Sequence, residues 1–142
     1  MITDILYHGT KEEFDLKEMK KPAYFTSNPK IASWFASKGN PRLICARIKA
    51  ERVYEIDWMY KSWGGGFVPS DNELFEEFVR FASDGDEEEI SYWEENGFCI
   101  DMFASMMAEK GIELVICRNV LEECGITGDI YVALGDAKIM ET

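Results

Sequence analysis

Apolar residues gather in short runs near both ends of the chain and in stripes of helical period between them. The run over residues 4–8, ended by Gly9 and Thr10, predicts a strand that carries an imidazole to the rim of a sheet. After a charged stretch, Lys11 to Lys21, residues 22–26 predict a second strand. Ser27 or Asn28 as N-cap, Pro29 at the first helical position and Gly39 beyond the last turn bound a helix, with Ile31, Ala32, Phe35 and Ala36 on its apolar side. Residues 43–48 predict a largely buried strand and residues 53–57 an alternating one.

The run Ser62-Trp63-Gly64-Gly65-Gly66 interrupts this pattern as a flexible break. Ser70 with Glu73 has the spacing of a capping box, opening a helix whose Leu74, Phe75, Phe78, Val79 and Ala82 share one face. A further helix is expected from about Phe98 to Lys110, stopped by Gly111. Strands over 113–117 and 130–134 close the chain. Strands near both ends with helices between them do not alternate as a doubly wound sheet does, so an α+β architecture is expected. The glycine triplet lacks a following Lys-Ser/Thr and there is no GxGxxG spacing, which excludes a P-loop or a Rossmann fingerprint.

Composition adds boundaries to this picture. With 142 residues, 46% of them hydrophobic, the chain suits one packed domain over 1–142. Cys45, Cys99, Cys117 and Cys124 form no CxxC pair and are expected to be buried free thiols rather than disulfides or metal ligands. The first residues carry no basic region with an apolar core of signal-peptide length, and no apolar stretch is long enough for a membrane span; the expected compartment is the cytoplasm. A net charge of -12 disfavours DNA, RNA and anionic membranes and favours a basic protein partner. The acid is densest over residues 84–89, which read as a solvated loop or a helix start.

His8 is the sole histidine, and Gly9 beside it lets another group approach the backbone. Leu6-Tyr7-His8-Gly9-Thr10, then Tyr24-Phe25-Thr26-Ser27-Asn28-Pro29 with Ala32 and Phe35, then Ile130-Tyr131-Val132-Ala133-Leu134 followed by Ala137-Lys138-Ile139, together resemble the ADP-ribosyltransferase superfamily. The likeness is to the branch of diphtheria toxin, the poly(ADP-ribose) polymerases and the small transferase domains of phage proteins. It implies a compact split β-sheet core with helices inserted between the central and C-terminal strands, and NAD as substrate. His8 would hydrogen-bond a ribose hydroxyl, the Gly9 backbone would clamp the carboxamide, and Tyr24 and Phe35 would sandwich the nicotinamide ring, with Thr10 and Ser33 as polar supports. Aromatic faces suit a cationic leaving group and offer less once it departs neutral.

The family's glutamate aligns with Ile130, which can neither accept a hydrogen bond nor stabilise the oxocarbenium-like charge that forms as the glycosidic bond breaks. Three alternatives stay open: Asp129 supplies the acid through an offset such as a bulge, Glu122 or Glu123 reaches in from the preceding loop, or no carboxylate serves. Alternation along a strand weighs against Asp129, but strand ends are where pairing breaks, and Asp129 ranks first among the three. The change disfavours chain elongation and leaves single transfer to a protein as the expected reaction. A small acidic protein of this family would suit a phage inhibitor of a host nucleic-acid-handling or defence protein. The competing reading is a catalytically silent acidic protein that blocks a basic nucleic-acid-binding partner by direct binding.

Overall fold

The computed structural model describes residues 1–10, 19–35, 42–122 and 124–142, with the side chains of Thr10, Phe35 and Arg42 outside the description. Its elements run β1 (Leu6–Thr10), β2 (Ala23–Thr26), α1 (Pro29–Phe35), β3 (Arg42–Lys49), β4 (Val53–Asp57), α2 (Asn72–Ser83), α3 (Glu87–Asn96), α4 (Ile100–Glu109), β5 (Leu114–Leu121), β6 (Thr127–Ala133) and β7 (Lys138–Glu141). The fold is α+β. All seven strands join one sheet in the order β4-β5-β6-β2-β1-β3-β7. Among the described strands only β4 and β5 pair in parallel, and the connection between them carries α2, α3 and α4.

Both faces of the central strands are buried, which explains why β5 and β6 read as unbroken apolar runs. Val115, Cys117, Ile130 and Val132 face the helices and join Phe78, Phe98, Phe103 and Trp58 in one cluster. Leu114, Ile116, Tyr131 and Ala133 face the other way and pack with Leu6, Phe25, Ala46 and Ile48. Phe98 is the hub of the aromatic contacts, its ring centroid 4.1 Å from that of Phe78 and 5.1 Å from that of Phe103.

Several local expectations shift in the structure. Helix α2 is capped by Asp71 rather than Ser70: the Asp71 carboxylate accepts from the backbone N–H groups of Glu73 at 3.0 Å and Leu74 at 3.2 Å. A carboxylate there also meets the positive end of the helix dipole, an advantage serine lacks. The acidic run proves to be a helix start, with Asp86 capping α3 in the same way. Residues 138–141 form the edge strand β7 on β3. The cysteines are free; Cys117 is buried and Cys45, Cys99 and Cys124 are half-buried. Gly39 lies outside the described residues. Among those described, no helix is long and apolar enough to cross a membrane.

The sheet is thinnest at one joint. β1 pairs with β3 through five residues, yet with β2 only through Tyr7 and Thr26. The ladder between them ends at that pair, and a cavity opens where they part.

Candidate functional site

A cavity of about 530 Å³ lies at the β1–β2 joint, within the range that holds a cofactor-sized ligand. Three regions converge on it: Tyr7, His8 and Gly9 from β1, Tyr24, Phe25 and Thr26 from β2, and Ile31 and Ala32 from α1. Trp63, the first turn of α4, Glu122 and Ile130 complete the wall.

His8 is held by the splayed backbone. Its Nδ1 lies 2.7 Å from the carbonyl oxygen of Tyr24, and its ring stands 5.6 Å from that of Phe25. A carbonyl only accepts, so the bond puts a proton on Nδ1, and in the neutral ring Nε2 is an acceptor. The same bond bridges β1 and β2 where ladder pairing has run out.

Tyr24 presents its ring to the cavity and donates its phenol proton to Asp101 Oδ1 at 2.6 Å. Burial, then the bond to Asp101 and its negative charge, hold the phenol well above the usual tyrosine pKa. The hydroxyl is therefore a donor throughout the physiological range.

Glu122 is 5% exposed and lines the cavity. It stands one residue past β5, where its N–H donates to the carbonyl of Ile126 and its own carbonyl accepts from Gly125. The segment before Trp63 docks on the same strand end: Leu121 N–H donates to Lys61 O at 3.0 Å and Ser62 bridges to Leu121. This docking brings an indole and a buried carboxylate to one rim.

Asp129 is not brought to the cavity. β5 contains a bulge between Cys117, which pairs with Ile130, and Val120, which pairs with Gly128. The bulge belongs to β5, so side chains on β6 keep their alternation: Ile130 lines the cavity and Asp129 turns from it. Asp129 instead fastens the bulge, accepting from Arg118 Nη1 at 2.9 Å and from the Asn119 N–H at 3.1 Å. Arg118 also bonds Glu55 and the Tyr131 hydroxyl. Burial opposes the guanidinium charge, but these bonds outweigh it and raise the Arg118 pKa.

The structure thus gathers His8, Gly9, Tyr24 and Glu122 from the residues expected by sequence. Ser33 is exposed and outside the lining. Glu123 and the side chains of Thr10 and Phe35 lie outside the described residues. Sequence reasoning missed Trp63, which sits in what reads as a glycine-rich break, and Asp101, whose place in the first turn of α4 signals only a helix start. No protein-family model, curated protein or solved structure matches this chain.

Proposed function

We propose that this chain is an NAD-dependent mono-ADP-ribosyltransferase acting on a basic protein. The observation that carries the reading is the convergence on one cavity of a histidine with a fixed tautomer, an aromatic ring and a nearly buried carboxylate: His8, Tyr24 and Glu122. Each answers a need of the reaction. NAD supplies a cationic nicotinamide leaving group and a ribose that becomes electrophilic as the bond to it breaks. His8 Nε2 accepts from a ribose hydroxyl and orients the sugar. The Tyr24 ring receives the cationic heterocycle. Glu122 provides the anion that gains most as positive charge spreads over the ribose, the place left by Ile130 in the aligned strand.

The protein-directed part of the reading rests on charge. At -12 the chain repels phosphate backbones and attracts a basic surface, which steers encounter more than it fixes affinity. A test follows: incubate the protein with labelled NAD and a panel of basic proteins, and follow label on the acceptor. Covalent label that disappears in Glu122→Gln supports transfer. NAD binding with neither label nor nicotinamide release contradicts it.

Ile130 on the cavity wall favours a second reading, a catalytically silent acidic protein that blocks a basic nucleic-acid-binding partner. Tight partner binding that is indifferent to NAD supports that alternative.

A further inference from the structure

The acidic side chains on the cavity wall are Asp101 and Glu122, beside the single imidazole of His8; no lysine or arginine is among the described lining residues. Aromatic rings stand with them, and one is chemically joined to an acid: Tyr24, whose hydroxyl donates to Asp101 Oδ1 at 2.6 Å. A phenol that donates to a carboxylate gains electron density in its ring, and a richer π-face attracts a cation more strongly. Neutral rings of the same shape gain little from this.

We propose that the cavity selects a cationic aromatic ring over its neutral isostere and that Asp101 sets this preference as a positioning residue acting through Tyr24, a proposal that rests on the NAD reading only for the identity of the natural ligand. The pair spans 77 positions of chain, linking β2 to the first turn of α4, so it also fixes the plane of the Tyr24 ring at the wall. Burial and the same bond keep the phenol protonated, and the donor is never lost at neutral pH. Asp101 itself is exposed at the cavity mouth and need not touch the ligand.

Equilibrium dialysis of the purified protein with 1-methylnicotinamide, a cation by methylation of its ring nitrogen, against neutral nicotinamide isolates the effect from the rest of NAD. The parent should prefer the cation by about tenfold, the factor expected of a partly desolvated cation–π contact. Asp101→Asn, which keeps an acceptor and removes the charge, should shrink that preference about fivefold while leaving nicotinamide affinity within about twofold. Tyr24→Phe deletes only the hydroxyl and should shrink it equally, giving the same reading if Asp101→Asn fails to fold. Combining the two should add nothing. No preference in the parent, equal weakening of both ligands in Asp101→Asn, or a full Asp101 effect in the Tyr24→Phe background each overturns the proposal. A parallel comparison of NAD with NADH separates the two claims: cation preference without binding of either dinucleotide leaves the inference standing and removes the NAD reading, whereas NAD binding without cation preference does the reverse.

Discussion

Arg118 grips Asp129 at 2.9 Å beside the β5 bulge, while the neighbouring Ile130 lines the cavity. Two adjacent positions of one strand thus have separate places, one in an ion pair that holds the bulge, the other on the cavity wall. Asp129→Asn should lower stability by about 1 kcal/mol, since the ion pair is partly exposed and the bulge N–H keeps an acceptor. Turnover, read as nicotinamide release at saturating NAD, should stay near that of the parent. Glu122→Gln should cut it about a hundredfold, or about 2.7 kcal/mol, with little change in NAD affinity. The reverse pattern would return the acid to Asp129.

His8 offers a different split between stability and binding. His8→Ala removes the hydrogen bond to the Tyr24 carbonyl at a joint with a single ladder pair, which should cost about 1 kcal/mol in denaturant unfolding. NAD affinity should fall about tenfold, the effect of losing an oriented acceptor. Unchanged NAD affinity in a destabilised variant would make His8 purely structural.

Gly97 bounds α3 at φ 75° and ψ -161°, a region open essentially to glycine alone. A Cβ there would sit 2.4 Å from the Phe67 carbonyl oxygen, backbone that cannot swing aside. Gly97→Ala should therefore destabilise by about 3 kcal/mol or more in chemical denaturation, and a loss within about 0.5 kcal/mol would contradict the packing of the 67–98 bridge.

The Tyr24 phenol titrates above its unfolded value near pH ~10, because burial and Asp101 favour the neutral form. Folded protein thus holds this proton more tightly than unfolded protein. Its contribution is fully present below the unfolded pKa and is lost as pH rises from there through the folded one. Tyr24→Phe should accordingly flatten the fall of stability with pH above about pH 10, measured by thermal melts across that range. An unaltered alkaline limb would mean the phenol is not coupled to folding.

Much of the fold was legible because its signals are local. Alternation and apolar runs found β4 and the cores of β3, β5 and β6, and Pro29 marked the start of α1. Helix α3 was harder: none of its residues is buried, so its apolar stripe is weak, and only the acidic start pointed to it. At the site, His8, Tyr24 and Glu122 carry chemistry that sequence can name, whereas Trp63 arrives through docking of the 61–62 backbone on the end of β5. That is a long-range event with no local pattern. The role of Asp129 depended on which strand holds the bulge, and a bulge in β5 leaves no mark in the residues of β6.

Calorimetric titration of NAD into the parent, Tyr24→Ala and His8→Ala reads whether the β1–β2 cavity binds NAD. Saturable binding at one site in the parent is expected, with competition by free nicotinamide and affinity at least about tenfold weaker in both folded variants. Absence of binding in the parent, or binding that neither substitution weakens, would contradict it.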